Sequence, residues 1–236
     1  MCTLSYLPLS EQQFFFTTNR DESPSRKAQL PKLHTQGNSF VVYPKDEQSG
    51  GTWMLCSKEN ISVCLLNGAY VKHKHLTSYR KSRGIVVLDF LSFASVIEFV
   101  REYEFSEIEP FTMIVVSAKN ILTLEEIRWD GSSIHYRLLD PTLPRIWSSV
   151  TLYDSKVRED RRKWFKLWME TSRLSKESII DFHKNAGRKD PSNALVMNRN
   201  DKVKTQSITQ IRSVNSNLLM YYETLDPNSN IEIEIL

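Results

Sequence analysis

Cysteine stands second in the chain, and further on Thr17-Thr18-Asn19-Arg20-Asp21-Glu22 sets an amide, a guanidinium and two carboxylates in four consecutive places. A small second residue leads to the expectation that Met1 is removed, leaving Cys2 with both a thiol and a free α-amine. A thiol of pKa about 8.5 is only slightly ionised at neutral pH, and an α-amine near about 7.7–8.0 can take its proton directly or through water. Nucleophile and base would then share one residue, and no catalytic histidine would be needed. Position alone is a weak signal, because buried cysteines mostly serve as small packing units. Asp21 is the second candidate, since a carboxylate near an N-terminal amine can orient it and set its protonation. An aspartate at a strand end is equally a turn cap. If a strand persists through Asp21, Asn19 and Asp21 face one side and Arg20 and Glu22 the other, and Arg20 reaches the thiol only where the strand breaks.

Three further groups invite a chemical reading. Gly50-Gly51-Thr52-Trp53 can form a pocket rim, with glycines allowing close backbone approach and Trp53 a flat wall, or an ordinary turn into a packed strand. His73 and His75 have the spacing of a metal-binding pair, but the flanking Lys72 and Lys74 repel a cation and no Cys or carboxylate adjoins them, which favours a solvated loop. The basic residues from Arg158 to Lys166 share a helix with Trp164, Phe165 and Trp168. That pattern suits an anionic membrane surface, and more often an aromatic stripe buried against a sheet.

The order Asn19-Arg20-Asp21-Glu22, Arg26, Gly50-Gly51-Thr52-Trp53, Leu66-Asn67 and Ser82-Arg83-Gly84 resembles the NRDE family, also called transport and Golgi organisation protein 2-like. Trp147-Ser148-Ser149, Thr151-Leu152-Tyr153 and Arg162 resemble a bacterial-type branch of it. The resemblance implies a four-layer αββα sandwich of the N-terminal nucleophile hydrolase superfamily, beside penicillin V acylases and bile-salt hydrolases. It implies Cys2 as nucleophile, with Asp21 in the catalytic machinery and Asn19, Arg20, Trp53 and Ser149 about the substrate. Leu66-Asn67-Gly68 resembles the segment that presents an oxyanion-hole asparagine in those relatives, although Asn-Gly is also a common turn dipeptide. Two positions depart from the relatives. Thr18 stands where bile-salt hydrolases have arginine, and Ser149 where a second asparagine is expected. A hydroxyl is shorter than an amide and directed differently.

The elements that must carry these residues are legible as period-two and helical patterns. Cys2 to Leu7, Phe14 to Asn19, Ser39 to Tyr43, Thr52 to Cys56 and Ile61 to Leu66 read as strands. Ser82 to Leu91 and Ala94 to Glu102 read as helices. Strands return at Phe111 to Ser117, Ile121 to Trp129 and Ser133 to Leu139, with Asp130-Gly131 as a hairpin signal. A second helical pair is expected over Asp154 to Ala186, then strands at Ala194 to Asn198, Lys204 to Val214, Asn217 to Thr224 and Ile231 to Leu236. Alternating blocks of strands and helix pairs are what an α+β sandwich of two antiparallel sheets between helical layers writes.

With 236 residues and 40% hydrophobic content the chain supports one substantial core, and residues 1–236 are expected to form one domain. Asp140 to Arg145 is short and Pro-containing, and reads as a loop. The balance of 31 basic against 28 acidic residues gives no footprint for nucleic acid. No signal-peptide pattern and no apolar run of about 18 residues is present, so stable membrane insertion is not expected and a cytoplasmic location is. Cys2, Cys56 and Cys64 form neither a disulfide framework nor a metal pair, which agrees with a reducing compartment. The reading is an amidohydrolase acting on a small-molecule, non-peptide carbon–nitrogen bond through an acyl-thioester on Cys2, with no cofactor. The alternative, implied by the resemblance, is a carrier of haem or acyl-CoA. Neither a Cys-Pro haem signature nor a c-type attachment motif is present.

Overall fold

The computed structural model describes residues 3–37, 39–214 and 217–235. Fourteen strands are found among them, in two antiparallel sheets. The first strands are β1 (Thr3–Pro8), β2 (Phe14–Glu22), β3 (Ala28–Gln36), β4 (Ser39–Asp46), β5 (Met54–Ser57) and β6 (Ile61–Asn67). Helices α1 (Arg83–Asp89) and α2 (Val96–Glu102) follow, separated by a single 3-10 turn at Phe90–Ser92. Next come β7 (Phe111–Ser117), β8 (Thr123–Trp129), β9 (Ile134–Leu139) and β10 (Arg145–Ser148). Helices α3 (Ser155–Thr171) and α4 (Lys176–Asn185) precede β11 (Asn198–Arg199), β12 (Val203–Val214), β13 (Asn217–Leu225) and β14 (Asn228–Ile235).

One sheet runs β10-β1-β2-β12-β13-β14, with β11 appended to β12, and the other runs β3 to β9 in chain order. Strand alternation assigns the layers. Leu4, Tyr6, Phe14 and Phe16 face Met54, Cys56, Cys64 and Leu66 of the other sheet. Leu7 and Phe15, of opposite parity, pack with Phe165, Ile179 and Phe182 of α3 and α4. Leu55, Val63 and Leu65 turn away from the first sheet towards Val86, Val87 and Phe99 of α1 and α2. The result is helices, sheet, sheet, helices: the αββα arrangement expected.

The helices begin where local chemistry permits. Ser95 caps α2 by accepting from Glu98 N, Asp154 caps α3 by accepting from Val157 N, and Ser175 forms a reciprocal capping box with Ser178 on α4. Asp130 likewise ties the β8–β9 turn, accepting from the backbone N–H groups of Ser132 and Ser133. Among the described residues no helix is long and apolar enough to cross a membrane.

Three expectations need correction. β3 is not among the expected strands, because its Pro31 and Lys32 mask the pattern; it is an edge strand with an irregular register between Gln29 and Lys32, where proline is tolerated. The Asp140 to Arg145 loop leads directly into a second edge strand, the short β10, which pairs with β1. Ala194 to Asn198 is not a strand: only Asn198 joins a ladder, and carbonyls of Asn193, Ala194 and Leu195 accept from buried side chains instead.

Gly51 meets Gly84 at backbone contact, with Thr52 N donating to Gly84 O at 3.0 Å. A Cβ on Gly51 would lie 2.3 Å from the Gly84 carbonyl carbon, so the two glycine motifs are one packing element. Gly51→Ala is expected to lower stability by about 2–3 kcal/mol in urea unfolding, the scale of overpacking. Gly37→Ala, with no atom within 4 Å of the added Cβ, bears only the left-handed backbone penalty of about 1 kcal/mol.

Candidate functional site

β2 stays regular through Glu22, and its alternation splits the four motif residues between two layers. Asn19 and Asp21 point into the layer of α3 and α4. Asn19 Nδ2 donates to the carbonyls of His183 at 3.1 Å and Leu195 at 2.9 Å. Asp21, 3% exposed, accepts from Tyr153 Oη at 2.5 Å and from Thr205 Oγ1. Arg20 and Glu22 point the other way, towards the second sheet. Arg20 donates to Asp46 at 2.8 Å and to Gln206 Oε1 at 2.8 Å, and lies 4.7 Å from the centre of the Trp53 ring. Arg26 bridges Asp46 at 2.9 Å and Glu22 at 3.0 Å.

A register shift in β12 makes this possible. Thr205 pairs with Asp21 and Ser207 with Arg20, so Gln206 is the extra residue. The bulge leaves the Thr205 hydroxyl on Asp21 and brings the Gln206 amide to Arg20.

Arg20, Arg26, Asp46 and Trp53 line a cavity of about 330 Å³ together with Asn67, Arg83 and Glu109. Burial alone would raise the Asp46 carboxyl, but the Ser49 backbone N–H, the charge of Arg26 and hydrogen bonds from Arg20 and Arg26 hold it below its ordinary value. Trp53 is 4% exposed, and its indole Nε1 has no hydrogen-bond partner among the described residues. It forms part of the wall of this cavity.

Asn67 closes β6 at the cavity, and its own carbonyl accepts from Ser149 Oγ at 2.9 Å and Val150 N at 3.2 Å. Ser149 is buried and also contacts Thr151 Oγ1 at 3.1 Å. Its hydroxyl therefore braces the backbone of Asn67 and is not among the cavity-lining groups. Asn67 stands at a turn, with Gly68 at φ +84° in the next place.

Cys2 lies outside the described residues. Its peptide neighbour Thr3 pairs with Asn19 on one side and Ser148 on the other. Cys56 and Cys64 are fully buried in strands; burial pushes the Cys56 thiol well up and the Cys64 thiol up to about 12, so both are inert thiols at neutral pH.

Two functional-looking residues escaped the sequence reading. Arg161, fully buried on α3, donates to Thr3 Oγ1, to Asn193 O at 3.0 Å and to Ala194 O at 2.6 Å, with its guanidinium 3.6 Å from the Tyr153 ring centre. It read as one more cation of a basic helix face. His183 is fully buried on α4, contacting Ser5 Oγ at 2.7 Å and Asn19 Oδ1. Because Asn19 Oδ1 accepts, His183 Nδ1 carries the proton and Nε2 accepts from Ser5. The sequence signal for it is helical spacing with Ile179 and Ile180.

The paired histidines behave differently from the sequence expectation in one respect. A carboxylate does reach them, since Glu109 lies 3.1 Å from His73 Nε2 and 3.7 Å from His75 Nε2. Arg83 binds the same carboxylate at 2.9 Å, and no group of three metal-ligating residues exists among the described residues. The basic helix packs its aromatic residues as expected, with Phe165 buried and Trp164 and Trp168 partly buried in the α3–α4 cluster.

The two-sheet sandwich with helical outer layers, and with its motif strand beside the N-terminal strand, has the fold of N-terminal nucleophile hydrolases. It is similar to the Caenorhabditis elegans ortholog of N-acylethanolamine-hydrolyzing acid amidase, with a TM-score of 0.61 and 15% identity over 89% of this chain and 92% of that one. It is also similar to a variant of conjugated bile acid hydrolase from Clostridium perfringens, with a TM-score of 0.56 and 12% identity over 99% of this chain and 92% of that one. No curated protein matches its sequence at a significant level. The family described as Transport and Golgi organisation 2 matches residues 1–228, and the chain belongs to that family.

Burial of His183 pulls its pKa from 6.5 down to about 3, with the Arg161 charge adding to the effect. The folded pKa lies below the unfolded one, so the stabilisation is complete above about pH 6.5 and is lost as pH falls towards 3. Urea unfolding should show about 2 kcal/mol less stability at pH 5 than at pH 7 from this group. His183→Gln should remove that pH-dependent part; an unchanged slope between pH 7 and pH 5 would contradict the assignment.

Proposed function

We propose that this protein is a cysteine N-terminal nucleophile hydrolase that cleaves a non-peptide amide bond of a small molecule through an acyl-thioester on Cys2. The observation that carries the reading is the placement of Asp21. It is a buried carboxylate held by Tyr153 and Thr205, on the strand paired directly with the N-terminal strand. The antiparallel pairing of Thr3 with Asn19 also means that β2 continues past this rung, through Arg20 and Asp21, on the side from which the chain enters β1. Asn67 lines the adjoining cavity from the opposite sheet. The amidase named among the structural relatives and the bile acid hydrolase are consistent with this reading.

In the proposed reaction the α-amine of Cys2 takes the thiol proton as sulfur attacks the amide carbon. The carbonyl oxygen gains the negative charge, and the Asn67 amide stabilises it as a donor. Collapse breaks the carbon–nitrogen bond, and the amine leaves with the proton returned from the α-ammonium group. Water then attacks the thioester, releasing the acid and restoring the thiol. Asp21 acts as a positioning residue, fixing the amine and favouring its charged form. Arg20 and Trp53 shape the cavity beside it, and Asn19 holds β2 to α4 through His183.

A panel of acyl-amides tests the proposal. One substrate should turn over, with kcat/KM reduced at least about a hundredfold in Cys2→Ala and in Asp21→Asn. In Asp21→Asn the pH–rate profile should shift as well, which simple loosening of the fold would not produce. Unchanged circular dichroism and Tm establish that both variants fold. If no amide is cleaved while haem or an acyl-CoA binds wild type and both variants alike, the protein is a carrier.

A further inference from the structure

A second cavity, of about 300 Å³, opens on the other side of the Asn67-Gly68 turn. Arg128, Arg137, Arg145, Arg158 and Arg162 line it, and Glu126 is the one carboxylate among its lining residues. Five guanidinium groups against Glu126 in the lining and Glu159 on Arg162 leave three positive charges around a space the size of a few small functional groups. The arginines come from β8, β9, β10 and α3, so they are dispersed in sequence and gathered by the fold.

The local ion pairs engage two of the five arginines. Arg128 binds Glu126 at 2.8 Å, and Arg162 binds Glu159 at 2.6 Å on the exposed face of α3. Among the described residues Arg137, Arg145 and Arg158 form no ion pair with a carboxylate. The Nε atoms of Arg128 and Arg145 are buried and have no hydrogen-bond partner among the described residues. Glu126 is itself committed, accepting from Arg128 and from Trp147 Nε1 at 2.8 Å. Burial alone would raise its carboxyl, yet the Arg128 hydrogen bond and the Arg128 and Arg137 charges hold it below its ordinary value.

Planar guanidinium groups in such a cluster repel one another unless an anion sits among them, and their forked donors match tetrahedral oxyanions as well as carboxylates. One carboxylate would neutralise a single charge. A phosphate monoester or diphosphate supplies two or more charges and enough acceptor oxygens for several forks. We propose that this cavity is a phosphate-binding subsite and that the protein's ligand is a phosphate-bearing small molecule.

The subsite adjoins the proposed reaction centre through the backbone. Ser148, which lines it, pairs with Thr3, and Val150, also in its wall, donates to Asn67 O at 3.2 Å. Arg128 donates to Ala69 O at 2.9 Å, and Thr112 to Gly68 O at 2.9 Å. The turn that presents Asn67 to the first cavity is therefore tied to the walls of the second, and the proposal extends to one substrate that places its amide at Asn67 and its phosphate among the arginines. The catalytic half of this statement rests on the hydrolase reading; the anion site does not.

Calorimetric titration of the full chain with inorganic pyrophosphate, phosphate and acetate at equal ionic strength is the test. Pyrophosphate should bind saturably with one site, phosphate more weakly, and acetate at least about tenfold more weakly still. Arg137→Gln and Arg145→Gln should each weaken pyrophosphate binding about tenfold or more, while Arg101→Gln on α2 leaves it unchanged. Arg137 is exposed, so its variant keeps the test valid if Arg145→Gln fails to fold. Absence of pyrophosphate binding, or binding indifferent to both variants, would overturn the proposal. So would co-sedimentation with phosphatidylglycerol vesicles that depends on these arginines while soluble pyrophosphate does not bind, because the phosphate would then belong to a lipid surface. Pyrophosphate binding without amide cleavage would sustain the subsite and remove the hydrolase reading; amide cleavage without pyrophosphate binding would do the reverse.

Discussion

The unbroken alternation of β2 is the constraint on which the site depends. Because side chains of a strand point to opposite faces in turn, four consecutive polar residues cannot all serve one cavity. Asn19 and Asp21 reach into the helical layer, where His183, Tyr153 and Thr205 meet them, and Arg20 and Glu22 reach towards Asp46 and Arg26. A slip of one residue would exchange the two sets, burying a guanidinium where a carboxylate now accepts two hydroxyls. The extra residue at Gln206 confines the irregularity to β12, so the motif strand keeps its own period.

The same strand has to carry polar groups through a closely packed interior, and the fold meets that cost with acceptors in place of counter-charges. Arg161 is fully buried, yet its hydrogen-bond partners among the described residues are the Thr3 hydroxyl and the carbonyls of Asn193 and Ala194. Those carbonyls are available because the segment leaves the sheet ladder. Thus the failure of Ala194 to Asn198 to form a strand and the burial of a cation beside the N-terminal strand are two sides of one arrangement. Asn19, bonded to the Leu195 carbonyl, draws on the same segment.

Much of the fold was legible from pattern. The strands Phe111 to Ser117 and Lys204 to Val214, the Asp-Gly hairpin and the two helix pairs all stand close to where the sequence pattern puts them. Edge strands were harder to read, since β3 and β10 are polar or very short and draw their order from a neighbour. At the site, the opposite faces of Asn19 and Arg20 followed from the period of a strand, and the close approach at Gly51 from its lack of a side chain. Arg161, His183 and the five-arginine cavity were not legible, because each is defined by tertiary partners more than about a hundred residues away or by convergence of distant elements. Ser149, expected at the position of an amide donor to substrate, was legible as a departure but not as a brace for Asn67.

The central claim is that Cys2 becomes the N-terminus and carries the acyl group during turnover. Rapid acid quenching of the protein from its native cell with an excess of a cleavable acyl-amide, followed by peptide mass mapping, addresses both parts at once. The account predicts an N-terminal peptide that begins at Cys2 and carries a hydroxylamine-labile acyl increment on that residue. A peptide that quantitatively retains Met1 and bears no acyl group while the amide is being hydrolysed would contradict it.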